Sequence, residues 1–235
     1  MKVLILAGGL GTRLRNTLGD TPKPLAPIRN KPFLEYLLRF IAKQEFRDVI
    51  IATGYRAEEI ERKFGDGSAM GLQIQYAFEK ELLGTGGAVK FAEPMIQSDD
   101  FFVMNGDTYF EVDLKEMSRF HKAHGGLATI ALSYQEDTHR YGRVIVNDFG
   151  KILSFEEKMH EKNMGGYING GIYVFNKNIF QYIPSNVMQS IEKQTLPSLA
   201  GANLYGFIST GYFIDIGIPE DYEKAQRELP IMGGI

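Results

Sequence analysis

The chain contains no cysteine, which excludes thiol catalysis and disulfide staples and is compatible with a reducing compartment. It also lacks a surplus of positive charge. Its 26 Lys and Arg are outnumbered by 29 Asp and Glu, for a formal net charge of −3, so no basic field points to nucleic acid or an anionic membrane as partner. Any polyanionic small molecule must therefore be held by local charge. No run approaches the ~18 apolar residues needed to cross a bilayer, and no basic segment followed by an apolar stretch opens the chain. A cytoplasmic protein without membrane partners is the expectation. Repeats, linkers and low-complexity tracts are also missing, and 235 residues suffice for one large α/β domain with a sizeable core.

What is there is concentrated in the first two dozen residues, MKVLILAGGLGTRLRNTLGDTPKP. The apolar run Val3 to Ala7, bounded by glycines, has the pattern of a buried central strand. Gly8, Gly9 and Gly11 then leave backbone N–H groups uncovered, Thr12 can cap a following turn, and Arg13 adds a fixed positive fork. These features define a phosphate cradle, although glycines alone would make only a tight turn. Lys23 stands between Pro22 and Pro24, two residues of restricted backbone, so its ammonium is aimed. A dinucleotide fingerprint would need a third glycine where Leu14 stands, and a Walker-type loop would need Gly-Lys-Ser/Thr; both are absent.

Further along, Phe33, Leu34, Leu37, Leu38 and Ile41 recur at helical spacing, predicting a helix over 32–43. A buried strand over 49–52, a helical stripe at Ala57, Ile60 and Phe64, and an alternating strand over 72–78 follow. The last of these should lie near a sheet edge. Gly84-Thr85-Gly86-Gly87 opens a helix reaching about Ala92, and a buried strand over 101–104 ends in Asn105-Gly106-Asp107. Strands alternating with helices imply a mostly parallel sheet whose ligands sit beyond the carboxyl ends of its strands. From Leu127 on, short strands over 128–133, 144–146, 152–155 and 168–175 replace the alternation. Helices are expected at 191–199 and 220–228, around a last strand over 212–216.

Two acids sit where a carboxylate is costly unless compensated: Asp107, at the end of an apolar strand, and Asp215, inside Phe213-Ile214-Asp215-Ile216. Both fit a Mg²⁺ site, since that ion is usually held by one or two carboxylates and substrate phosphates; a cap or a satisfied buried acceptor is the structural alternative for each. Phe155-Glu156-Glu157-Lys158 places charge at a strand end, where Glu157 and Lys158 would reach one ligand only if the chain turns. Asn169, beside Gly170 and Gly171, suits hydrogen bonds to sugar hydroxyls. His121 and His124 share a helix face with no third ligand evident, and with His139 and His160 they receive no role.

Taken together, GGLGTRL, TPKPLAPI, GTGG, NGD, FEEK, INGGIYVF and YFIDIGIPEDY resemble the signature of the sugar-1-phosphate nucleotidyltransferases, in family order over nearly the whole chain. The resemblance implies a Rossmann-like nucleotidyltransferase fold, with a mixed, mostly parallel central sheet flanked by helices. It further implies one domain over 1–235, with a nucleotide-binding half over about 1–110 and a sugar-phosphate-binding half over about 111–235. By that likeness Leu6, Ala7, Gly8, Gly9, Gly11, Thr12, Gly84, Thr85 and Asp107 line the nucleotide. Arg13 and Lys23 contact the triphosphate, Asp107 and Asp215 hold Mg²⁺, and Glu157, Lys158 and Asn169 bind the sugar phosphate. The implied donor is a nucleoside triphosphate, GTP ahead of UTP or CTP, and the implied acceptor a heptose 1-phosphate ahead of mannose 1-phosphate. The nucleotide-sugar product would serve surface polysaccharide synthesis. A homodimer is compatible with the chain, and a nucleotide-sugar-binding subunit without turnover is the rival outside the enzyme class. The sequence departs from the family at Leu82, where relatives often carry proline, and at Phe213, where many have tryptophan.

Overall fold

The computed structural model describes residues 1–9, 11, 14–156 and 165–229. The chain runs from β1 (Val3–Leu6) through α1 (Arg15–Leu18) and the short strands β2 (Pro27–Ile28) and β3 (Lys31–Pro32) into α2 (Phe33–Lys43). Next, β4 (Asp48–Thr53), α3 (Ala57–Phe64), β5 (Gln73–Phe78), α4 (Gly84–Phe91) and β6 (Asp100–Asn105) continue the alternation. The second half holds β7 (Thr108–Phe110), α5 (Leu114–His124), β8 (Ala128–Gln135), β9 (Arg143–Val146), β10 (Ile152–Glu156) and β11 (Gly166–Asn176). It ends in α6 (Leu196–Leu199), β12 (Leu204–Ser209), β13 (Phe213–Asp215) and α7 (Pro219–Glu228).

Nine of these strands form one mixed sheet. β1 pairs in parallel with β4 on one side and β6 on the other, and β5 joins β4 in parallel at the margin. β11 turns the sheet antiparallel. Its second half pairs with β6, its other side with β8, and β12 adds in parallel to β8. The β9–β10 hairpin joins the first half of β11 through the pair Ile168 and Arg143. β1 is central and β5 marginal, as the apolar run and the alternating pattern predict.

Because side chains alternate along a strand, the sheet has two apolar faces and a packed cluster on each. Val3 and Ile5 point into one, with Leu34, Leu37 and Ile41 of α2, Ile60 of α3, Met117 of α5 and Tyr222 of α7. Leu4 points into the other, with Val89 of α4, Phe101, Tyr173, Ile191 and Leu196. Helices therefore cover both faces, as parallel strands require.

The structure departs from the expectations in the form of the segment 191–199 and adds the short strands β2, β3 and β7 and the longer β12. The segment 191–199 is a π-type turn over Ile191–Thr195 before the short α6. Pro197 has no N–H to continue an α-helical ladder, and Leu196 instead bonds back to the Ile191 carbonyl. β12 was not expected. β13 pairs with β7 in a separate two-stranded ladder, not with the main sheet.

Candidate active site

Beyond the carboxyl ends of β1, β5 and β6 lies a cleft of about 630 Å³. Its walls include Leu6, Ala7, Gly8, Gly9 and Gly11 from the first loop, with Lys23, Gly84, Thr85, Asp107 and Asp215. Segments as distant in sequence as 6–11 and 215 thus converge, where ligands of open α/β sheets bind. The glycine loop is anchored on both sides, since Ala7 N–H donates to the Ala52 carbonyl (2.8 Å) and Gly106 N–H to the Leu6 carbonyl (2.9 Å). Gly11 adopts φ +60°, and a Cβ there would stand 3.2 Å from Cβ of Lys23. A side chain would be strained and would crowd the lysine.

Lys23 opens a 3₁₀ turn behind Pro22, held where Leu25 N–H meets the Pro22 carbonyl (2.8 Å) and Ala26 N–H the Lys23 carbonyl (3.0 Å). Its ammonium donates to Oδ2 of Asp107 at 2.5 Å, with the lysine side chain 11% exposed and the aspartate 35%. The hydroxyl of Thr108 donates to the other oxygen of Asp107 at 3.2 Å. Asp215 lies opposite Thr108 in the β7–β13 ladder, and Ile216 N–H donates to the Asp107 carbonyl (2.9 Å). Asp107, in the turn that leads into β7, and Asp215, at the end of β13, are thus held side by side, with Gly217 N–H on Oδ1 of Asp215 at 2.7 Å.

The other wall is built by the start of α4. Gly84 has φ +71°, and a Cβ there would lie 2.6 Å from the Gln189 carbonyl oxygen, so only glycine fits. Residues 83–86 pair with 189, through Gln189 N–H to the Leu83 carbonyl (2.9 Å) and Gly86 N–H to the Gln189 carbonyl (2.7 Å). Thr85 Oγ1 donates to Glu192 (2.7 Å) and accepts from Ile191 N–H (2.9 Å).

Asn169 stands apart from these lining residues. Its Nδ2 donates to the Tyr173 hydroxyl (3.0 Å) and its Oδ1 accepts from Gly171 N–H (2.9 Å). Thr12, Arg13, Glu157 and Lys158 lie outside the described residues. His121 is a buried, satisfied histidine, its Nδ1 2.8 Å from Thr129 Oγ1 and its Nε2 3.6 Å from Asp100. Among the described residues no group of three or more His, Cys, Asp or Glu gathers as a metal cage.

Several cleft residues carried no motif in the sequence: Met188, Glu192 and, above all, Glu79. Glu79 follows the last residue of β5, and its Oε2 accepts from Leu83 N–H at 3.3 Å. Its carboxyl is raised above the ordinary range by burial, partly offset by that hydrogen bond. An acid just past a strand end in a parallel sheet is the signal that could have found it. Arg140 is a further charge, paired with Asp221 at 2.6 Å, and its guanidinium is held more basic by that bond, with Tyr141 and the charges of Asp221 and Asp215 adding to it.

A Rossmann-like sheet with a glycine-lined, lysine- and aspartate-bearing cleft at its switch point defines a nucleotide-handling α/β protein. Residues 2–230 match the nucleotidyl transferase family, and the chain belongs to that family. It is 44% identical over 230 residues to D-glycero-alpha-D-manno-heptose 1-phosphate guanylyltransferase of Aneurinibacillus thermoaerophilus, covering 97% of this chain and 98% of that one. The protein of the same description from Campylobacter jejuni is 41% identical, with 94% and 97% covered. Among solved structures, HddC from Yersinia pseudotuberculosis complexed with GMP-PN superposes with a TM-score of 0.85 at 36% identity, over 97% of this chain and 99% of that one.

Proposed function

We propose that this chain transfers a guanylyl group from GTP to D-glycero-α-D-manno-heptose 1-phosphate, releasing pyrophosphate and forming GDP-heptose for surface glycan synthesis. The observation that carries the reading is the Lys23–Asp107 pair in the glycine-lined cleft. A phosphate oxygen of the sugar 1-phosphate attacks the α-phosphorus, the bond to the β-phosphate breaks, and pyrophosphate leaves. No protein nucleophile is required. Both reactants are anions, so the chain contributes position and positive charge, which dominate the catalysis of phosphoryl-type transfer. Lys23 turns from Asp107 to the triphosphate, Arg13 adds a second positive charge to it, and Gly8, Gly9 and Gly11 offer backbone N–H groups. Gly84 and Thr85 border the base, and Glu157, Lys158 and Asn169 take the sugar phosphate.

Guanine is favoured over the other bases by Glu79. A carboxylate presents two acceptors to the paired N1–H and N2–H₂ donors of guanine, and a half-buried one makes a poor neighbour for the acceptor edge of a pyrimidine. The cleft also suits Mg²⁺, because Asp107 and Asp215 both line it and two carboxylates with nucleotide phosphates are a customary set for that ion. When bound, Mg²⁺ would neutralise phosphate charge there.

The reading treats 1–235 as one domain, its nucleotide-binding and sugar-phosphate-binding halves meeting near residue 110, and puts the reaction in the cytoplasm, where GTP is made. No described helix is long and apolar enough to cross a membrane. A homodimer is proposed as well, supported by exposed Phe149 and Ile208 flanking one groove; sedimentation at micromolar concentration decides it. The activity test is pyrophosphate release with Mg²⁺, crossing four nucleoside triphosphates against heptose, mannose and glucose 1-phosphates. Release confined to GTP with the heptose is expected. Release with mannose 1-phosphate instead would reassign the acceptor, and nucleotide binding without release would make this a non-catalytic subunit.

A further inference from the structure

We propose that Tyr173 is a positioning residue whose hydroxyl holds the donor wall and the acceptor strand of the cleft in one arrangement. The inference rests on the proposed activity, in which Thr85 borders the nucleotide and Asn169 meets the sugar phosphate. Tyr173 is fully buried, so it touches no substrate and acts only through neighbours. Its ring lies in the apolar cluster under the sheet, stacked on Phe175 with centroids 5.5 Å apart. A hydroxyl there must be paired or it costs stability.

The pairing spans the site. Asn169 Nδ2 donates to the hydroxyl at 3.0 Å, the hydroxyl in turn points at Oε1 of Glu192, 3.5 Å away, and the Asn105 side chain stabilises the charged phenolate without a direct bond of ordinary length. The hydroxyl's one donor and one of its acceptor sites are thereby used. Burial, reinforced by the Glu192 charge, pushes the phenol well above its ordinary range, so it remains a donor at any working pH.

Each partner belongs to a different part of the cleft. Glu192 accepts from Thr85 Oγ1 (2.7 Å) and Ser190 Oγ (2.8 Å), and lies in the π-type turn that backs the start of α4. Such turns interrupt regular helix and frequently mark functional sites. Asn105 ends β6 two residues before Asp107, and its Oδ1 is buried without a partner among the described residues. Asn169 is aimed by a shift of register between β11 and β8 that falls between residues 169 and 173. One hydroxyl therefore ties the β11 bulge, the strand leading to Asp107 and the base-side turn together. Networks satisfied in this way specify a single arrangement.

Tyr173→Phe removes only the oxygen and keeps the ring packing. Amide hydrogen exchange at Gly86, bonded to the Gln189 carbonyl, and at Ile191, bonded to Thr85 Oγ1, is expected to speed up by about tenfold, the worth of one net hydrogen bond. In the same variant kcat should fall by about 100-fold, the cost of misplacing a reacting group by roughly 1 Å, with the KM for GTP unchanged, since Thr85 keeps its bonds to Ile191 and Glu192. Unchanged exchange, or faster exchange with unchanged kcat, overturns the proposal. Should that variant fold poorly, Glu192→Gln is expected to give the same pair of effects, and its failure to do so overturns the proposal equally. Exchange needs no turnover, so a wild-type protein silent toward every substrate would refute the proposed activity while the linkage through Tyr173 is still decided.

Discussion

Replacing Lys23 by alanine should move two measurements in opposite directions. The ammonium lies 2.5 Å from Asp107 with its side chain 11% exposed, so water screens it little and its charge is already placed where the triphosphate arrives. Losing one preorganised charge of this kind costs ~2.7–4 kcal/mol, or roughly 10²–10³ in kcat. The same change frees a carboxylate. Divalent cations no longer compete with an ammonium for Oδ2 of Asp107, and a hydrogen bond to a charged group is worth about 1.5–3 kcal/mol. Mn²⁺ binding to the protein without nucleotide, followed by electron paramagnetic resonance, should therefore tighten by roughly tenfold or more. Turnover would be read from pyrophosphate release, and folding from circular dichroism. Near wild-type kcat in a folded variant, or weaker Mn²⁺ binding, would refute the account of this pair.

Glu79→Gln should cost GTP about 1.5–3 kcal/mol in kcat/KM while changing UTP little, because the amide places a donor against guanine N–H groups. Wild-type GTP affinity should also fall as pH drops through the Glu79 pKa, which burial sets above the usual carboxylate value, and titration calorimetry between pH 7.5 and 5 checks this. Gly84→Ala forces a side chain into the left-handed region at about 1–2 kcal/mol and against the Gln189 carbonyl 2.6 Å away, so its urea midpoint should drop measurably. His121 is held neutral, its pKa lowered by burial against the pull of Asp100. The unfolded chain then binds the extra proton, and stability present above about pH 6.5 should decline below it by at most about 1.4 kcal/mol per pH unit. Urea unfolding of His121→Gln, compared with wild type across pH 7.5 to 5.5, should show a flatter profile.

The elements legible in the sequence are those in which one pattern decides the outcome. The runs at 3–7 and 49–52 are buried on both sides, and the stripe at Phe33, Leu34, Leu37, Leu38 and Ile41 covers one face, so period and position agree. β12 escaped because Gly206 interrupts it. A Cβ there would lie 2.4 Å from Leu132, so the residue that weakens the strand pattern is required by close packing on β8. Lys23, Asp107 and Asp215 were readable because charge stands in apolar or proline-bound surroundings. Glu79 and Glu192 were not: each is an ordinary acid in a polar stretch, and only the fold turns it toward the cleft. The buried hydroxyl of Tyr173 was equally hidden, since tyrosine in an apolar strand reads simply as core.

The position of β11 also bears on how the chain emerges during synthesis. β6, with its apolar Phe101–Met104, has β1 on one side and β11 on the other, and β11 lies more than sixty residues downstream. Until residue 176 is made, the parallel half carries an unpaired apolar edge of the kind that templates aggregation. Ribosome-bound chains stalled before β11 should accordingly need chaperone cover, whereas those stalled after it should not. Asp215 comes later still, on a ladder strand near the far end of the chain, so the cleft is completed only after the sheet beneath it has closed.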